Sequence, residues 1–90
     1  MLVLPAELML TQATPCLHML VQALKAAPGA QVTADAAALQ RFDSSAIAVL
    51  LECRREALSL GKQLTVSGMP ARLAELAGLY GVNDLLPPSA

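Results

Sequence analysis

Residues 36–51, AAALQRFDSSAIAVLL, decide the fold of this 90-residue chain. Small residues lead to Asp43-Ser44-Ser45, and a helical pattern follows without a gap. Asp and Ser side chains accept hydrogen bonds from the unpaired N–H groups at a helix start, so a helix is predicted to begin here, capped by Asp43 or Ser44. A helix N-terminus also favours an anion, including a phosphate on Ser44. The stretch therefore predicts a helix cap, a docking or modification site, or both.

The composition indicates one small domain, residues 1–90. Hydrophobic residues make up 56% of the chain and aromatic residues 2%, so Leu, Ala and Val must build the core. The net charge is −1 and no cluster of Lys or Arg stands out, which argues against a nucleic-acid-binding protein. The central apolar run, residues 46–51, is far shorter than the roughly 20 residues that span a bilayer. The first five residues lack the positively charged start of a signal peptide, so we expect a cytoplasmic protein.

The residues that carry catalysis or bind metals are sparse. Cys16 and Cys53 form no C-x-x-C pair and His18 is the single histidine, whereas a zinc site needs about four ligands at characteristic spacing. Gly61 and Gly68 do not belong to a phosphate-binding loop. We therefore expect no enzyme activity, no catalytic residues, no cofactor and no metal. Both cysteines are expected in helices as small buried residues of a reducing compartment.

Hydrophobic periodicity predicts strands that alternate with helices. An opening strand covers residues 2–8, with Pro5 confining it to an edge or a bulge. Helices are predicted from Thr14-Pro15 to residue 28, from residue 43 to residue 59, and from residue 70 to Gly81, and strands at residues 31–35 and 63–67. This order argues for an α/β fold: a small mixed sheet of about three to four strands, with three helices packed mainly on one face.

The inward faces of the last two helices also follow from the periodicity. On the helix that starts near residue 43, a stripe is predicted to face the core: Ile47, Leu50, Leu51, Arg54, Ala57 and Leu58. On the last helix the inward residues are Leu73, Leu76, Ala77 and Tyr80.

Several segments resemble STAS domains, and most nearly the MlaB subunits of bacterial phospholipid-transport ABC systems. The central motif is VTAD (32–35), Leu39 and FDSS (42–45), flanked by LLECRR (50–55) and LAGLYGV (76–82). The resemblance implies the STAS fold. Ala6-Glu7-Leu8 is similar to the end of the family's second strand, so the first family strand is apparently missing. An edge open to pairing, including homodimer formation, would result.

The resemblance also implies a function. The expected role is a non-catalytic cytoplasmic subunit that binds and regulates the ATPase of an inner-membrane ABC phospholipid transporter, and meets the membrane only through that partner. The alternative is an anti-sigma factor antagonist, switched when a kinase-type anti-sigma factor phosphorylates Ser44. Ala46 stands where phosphorylated relatives usually carry glycine, which favours the transporter subunit. A sulfate-transporter tail, the third alternative, would accompany a transmembrane portion.

The candidate site residues belong to the same stretch and the helix after it. Candidate partner-binding residues are Asp43, Ser44, Ser45, Glu52, Arg55 and Glu56, and Ser44 is also the candidate phosphorylation site. The alternative for Glu52, Arg55 and Glu56 is that they form an ordinary solvent-exposed helix face without a partner. Asp35 either accepts hydrogen bonds from the loop that follows it or forms an acidic wall beside Ser44.

Overall fold

The computed structural model describes residues 2–88. Within this range the chain forms three α-helices, five short strands and a 3-10 helix. In chain order they are β1 (Leu2–Val3), β2 (Glu7–Leu8), α1 (Leu10–Ala26), β3 (Gln31–Asp35), β4 (Arg41–Phe42), α2 (Ser45–Ser59), β5 (Gln63–Ser67), α3 (Ala71–Leu79) and the 3-10 helix Asn83–Leu85.

The strands form a three-stranded sheet in the order β1-β3-β5 and a two-stranded sheet of β2 and β4. The α/β class with three helices and a small sheet is therefore confirmed, and β3 is the central strand. The pairings between these strands are all parallel, whereas a mixed sheet was expected. The reason is topological: α1 lies between β1 and β3 in the chain and α2 lies between β3 and β5, and a crossover helix returns the chain in the same direction.

The opening segment is two short strands rather than the single strand predicted over residues 2–8. The Leu4 N–H still donates to the Asp35 carbonyl at 2.9 Å, as an extension of β1. Pro5 has no N–H to donate, so the ladder ends there. The Ala6 carbonyl instead accepts from the backbone N–H groups of Gln40 and Arg41, at 2.8 and 3.0 Å, and the chain joins the second sheet. The strand β4 was not predicted.

One face of the main sheet carries the core. Val32, Ala34, Leu64 and Val66 are buried on it, because side chains alternate between the two faces of a strand. The opposite face is polar and half-exposed; on it the hydroxyl oxygens of Thr33 and Thr65 lie 3.1 Å apart. Helices packed mainly on one face were predicted, and this burial pattern agrees.

The helix α2 lies at the centre of the packing and contacts α1, β5 and α3. Because it is enclosed on several sides, its buried arc is wider than one stripe and includes Val49 and Cys53. The prediction was wrong for Leu58, whose exposed fraction is 51%. Ile47, Leu50 and Ala57 are buried as expected.

The end of the chain packs α3 and closes one sheet edge. Leu73 and Ala77 are buried on α3, but Tyr80, predicted to point inward, is 58% exposed because α3 ends at Leu79 and Tyr80 is its C-cap residue. Leu86 is buried, and the Val66 N–H donates to the Pro87 carbonyl at 2.9 Å along the outer edge of β5. Among residues 2–88, no helix has both the length and the apolarity to cross a bilayer.

Candidate functional site

The Asp43 carboxylate joins the N-termini of two helices. Its Oδ1 accepts a hydrogen bond from the Ser45 N–H at 2.8 Å, at the start of α2. Its Oδ2 accepts from the Leu10 N–H at 3.2 Å, at the start of α1. The predicted start of α2 is confirmed, and of the two candidate caps Asp43 is the one used, since Ser44 makes no capping bond with its side chain.

The start of α1 differs from the prediction. The helix begins at Leu10, and Pro15 lies inside it, so a start at Thr14-Pro15 was wrong. The added turn has its own support, because Gln12 Oε1 accepts from the Met9 N–H at 2.8 Å and Gln12 Nε2 donates to Glu7 Oε1 at 2.9 Å. Asp43 supplies a further acceptor from a distant part of the sequence.

These hydrogen bonds set the charge of the Asp43 carboxyl. The Ser45 N–H is the largest influence that lowers its pKa below the usual range, and the Leu10 N–H acts in the same direction. Donors that bind the carboxylate form favour ionisation. Asp43 is therefore an ionised double acceptor at neutral pH, between the positive ends of two helix dipoles.

The structure places several predicted site residues along one exposed stripe of α2. Ser44, Ala48, Glu52, Arg55 and Ser59 recur every three or four residues, and an α-helix puts such positions on one face. Ser44 and Ala48 are exposed. Arg55 Nη1 lies 3.7 Å from Glu52 Oε1, an ion pair between residues three apart on the helix. A partner that contacts Ser44 can thus reach Arg55 along the same helix face.

Two other predicted residues are placed differently. Ser45 is half-buried and its N–H is already bonded to Asp43, so it contributes less surface than Ser44. Glu56 lies toward α1, where it lines a groove together with Glu52, His18 and Lys25. The exposed part of the predicted residue set is therefore mainly the Ser44 stripe, with Glu56 at its margin.

Of the two predicted roles of Asp35, the structure shows the hydrogen bond with the loop that follows it. Its Oδ1 accepts a hydrogen bond from the Ala37 N–H at 2.9 Å, which fixes the turn after β3. Among the hydrogen bonds and ion pairs of residues 2–88, none connects Asp35 with Ser44. The acidic wall remains a prediction.

Two residues near the Asp43-Ser44-Ser45 loop were not found by reading the sequence. Leu10 is 73% exposed although its backbone binds Asp43. The Arg72 guanidinium carbon lies 5.4 Å from the centre of the Phe42 ring, a cation–π arrangement beside the loop. Both come from elements distant in the chain, so no local pattern pointed to them.

The two thiols are enclosed in the helix packing. Cys16 and Cys53 are both free and buried, as expected. Burial raises the pKa of Cys53 to about 12, with a smaller contribution from Cys16, and burial also raises the pKa of Cys16. Since the thiolate is the reactive form, neither sulfur is activated as a nucleophile.

The family follows from comparison with known proteins. A family model described as "Mlab, STAS domain" matches residues 3–87. The chain belongs to this STAS domain family. The match includes the Asp43-Ser44-Ser45 loop, all of α1, α2 and α3, and the central strand. No curated protein matches the chain. STAS domains are generally non-catalytic, and membership in this family suggests a regulatory or interaction role.

Proposed function

We propose that this STAS domain is a non-catalytic subunit that binds and regulates the ATPase of an inner-membrane ABC phospholipid transporter. It would act in the cytoplasm and be held at the membrane by that partner. The family match, which carries the MlaB description, supports the class of partner. The observation that carries the proposal is the exposed hydroxyl of Ser44: because Asp43 caps α2, this side chain makes no capping bond.

The shape of the stripe supports docking of another protein. Ala48 has a small side chain one turn beyond Ser44, which lets a partner approach the helix closely. From Ser44 to Arg55 the stripe extends about 16 Å at 1.5 Å per residue. Beyond Ala48 it presents Glu52 and Arg55, whose charges partly neutralise each other. We expect Ser44 and Ala48 to matter more than this pair, since exposed ion pairs contribute little.

A pull-down from native membranes tests the proposal. The wild-type domain is compared with Ser44→Glu, and mass spectrometry identifies both the bound proteins and any modification of Ser44. We expect the wild type to recover an ABC ATPase with its permease, and Ser44→Glu to lose at least about ten-fold in affinity, because a buried unpaired charge at an interface is costly.

Ala23→Glu is the matched control, since Ala23 is an exposed small residue of α1 that lies about 20 Å from Leu10 at 1.5 Å per residue. It should bind like the wild type, and both variants should keep the wild-type unfolding temperature within a few degrees. Equal recovery of the ATPase by wild type and Ser44→Glu would place the docking surface elsewhere. Recovery of no ABC component by the wild type would overturn the proposed function.

An anti-sigma factor antagonist is the second candidate, and the exposure of Ser44 at a helix N-terminus favours it too, because a phosphate there is stabilised by the helix dipole. Ala46 does not separate the candidates: it is fully buried, so its methyl group does not obstruct an approaching kinase. In the same experiment, a kinase-like anti-sigma factor with phosphate on Ser44 would support this candidate. Self-pairing through the β1 edge stays part of the proposal for either function.

A further inference from the structure

We infer that Leu10 is the apolar anchor of the proposed docking surface and inserts into an apolar socket of the partner protein beside Ser44. This inference rests on the proposed function. Leu10 is the first residue of α1 and is 73% exposed. Its N–H binds the same Asp43 carboxylate that binds the Ser45 N–H, at 3.2 and 2.8 Å respectively. The leucine is thereby held next to the start of the Ser44 stripe.

The polar groups around Leu10 already bind one another. Glu7 accepts from Gln12 Nε2 at 2.9 Å, and its other carboxylate oxygen lies 3.7 Å from Arg41 Nη1. Gln12 Oε1 accepts from the Met9 N–H at 2.8 Å. Both Asp43 oxygens are also bonded, so the hydrogen-bonding groups of Glu7, Gln12 and Asp43 already have partners within the domain. An approaching protein therefore meets an apolar side chain and a hydroxyl group.

This chemistry specifies the partner surface. An apolar socket would bury Leu10, and a hydrogen-bonding group at its rim would meet the Ser44 hydroxyl. The exposed Arg72 guanidinium, which lies over the Phe42 ring beside the loop, would meet at most one acidic group at the rim of the socket. Binding should accordingly depend little on salt, since screening weakens only interactions between exposed charges.

Asp43 acts here as a positioning residue. Its carboxylate fixes the start of α1 against the start of α2, so the distance between Leu10 and Ser44 is set by one side chain. Asn at this position keeps a single acceptor oxygen and must leave one of the two N–H groups without its partner. If the start of α1 is held less firmly, Leu10 contributes less to the binding affinity, because fixing its position on binding costs conformational entropy.

The test uses the ATPase-containing membrane complex recovered with the wild-type domain, kept in detergent, and measures the affinity of purified variants for it. Leu10→Ala should weaken binding at least about ten-fold. Leu79→Ala is the matched control. Leu79 is an 82% exposed leucine at the last residue of α3, whereas Arg72, which lies beside the loop, is at the start of that helix. This variant should change affinity less than about two-fold. Leu10→Met should restore most of the binding, and Asp43→Asn should fall between the wild type and Leu10→Ala.

The outcomes separate this inference from the proposed function. Wild-type binding by Leu10→Ala, while Ser44→Glu fails to bind, would overturn the role of Leu10 and leave the docking function intact. Normal binding by Ser44→Glu as well would overturn the role of Leu10 and place the docking surface elsewhere, whereas the proposed function itself falls only if the wild type recovers no ABC component. A ten-fold or greater loss of wild-type affinity when NaCl is raised from about 50 to about 500 mM, together with unchanged affinity of Leu10→Ala relative to the wild type, would show that ionic contacts supply the affinity and reject the apolar socket.

Discussion

At Gly68 the loop between β5 and α3 passes tightly against the turn after β3. The φ of Gly68 is +63°, a backbone conformation that residues other than glycine rarely adopt. A Cβ added there would lie 2.8 Å from Ala37 Cβ and 3.0 Å from the Ala37 backbone N. Backbone atoms cannot move aside as a flexible side chain can, so the small residue is required for two independent reasons.

We therefore expect Gly68→Ala to lower the free energy of unfolding by about 2–4 kcal/mol, as the sum of left-handed strain and overpacking. Gly61→Ala is the control: Gly61 has a φ of +72°, but nothing lies within 4 Å of an added Cβ. It should cost only about 1–2 kcal/mol. Urea unfolding of both variants measures the difference, and equal losses would mean that the contact with Ala37 relaxes without cost.

At the scale of elements, the sequence predicted well what depends on neighbouring residues. The bounds of β3 (Gln31–Asp35) and β5 (Gln63–Ser67) and the end of α2 at Ser59 are confirmed, because strand alternation and helix periodicity are local patterns. The candidate site was predicted as the Asp43-Ser44-Ser45 stretch and charged residues of the following helix, and the structure adds that Ser44 and Arg55 lie along one helix face.

The elements that sequence reading missed depend on partners far along the chain. β4 is only two residues long and exists by pairing with β2. The first turn of α1 is held partly by Asp43, which is 33 residues from Leu10. Inside α1, Pro15 leaves the Thr11 carbonyl without its helical partner, but Thr11 is exposed, so water can satisfy that oxygen. These same long-range contacts bring Leu10 to the candidate site, which no local pattern could indicate.

Lys62 connects two turns and provides an element-scale prediction. Its Nζ donates to the carbonyls of Ala27 at 2.8 Å and Gly29 at 2.6 Å, so the turn before β5 is tied to the turn before β3. Lys62→Met keeps the aliphatic stem and removes both bonds. We expect a loss of about 1–2 kcal/mol in the free energy of unfolding.

Lys25→Met is the control for Lys62, because Lys25 is an exposed lysine on the last turn of α1. Its loss should not exceed about 0.5 kcal/mol, the usual size of a helix-dipole contribution at an exposed site. Thermal and urea unfolding of the two variants decide the matter. An equal effect of both substitutions would show that the Lys62 bonds contribute nothing beyond a general charge effect.

At the scale of the whole molecule, stability should fall at both ends of the pH range for separate reasons. The pKa of Asp43 is lowered in the folded state, so its contribution is present above the unfolded value of about 3.9 and is lost as the pH falls through the folded pKa. The pKa of Cys53 is raised to about 12. Its contribution is present below the unfolded value of about 8.5 and is lost as the pH rises toward the folded value.

The alkaline limb is the sharper test because the two buried thiols, with Cys53 the more strongly shifted, should dominate its beginning. Between about pH 8 and pH 10 the unfolded chain releases the protons of Cys53 and Cys16, whereas burial lets the folded chain retain them. Urea midpoints across this range should decline in the wild type, decline less steeply in Cys53→Ala, which keeps Cys16, and stay nearly level in the double variant Cys16→Ala/Cys53→Ala, apart from a constant offset for the cavities. Asp43→Asn should keep the alkaline decline and flatten the acid one. A Cys53→Ala variant that declines as steeply as the wild type would mean that the thiol reaches solvent in the folded state, and that the packing between α1 and α2 opens around it.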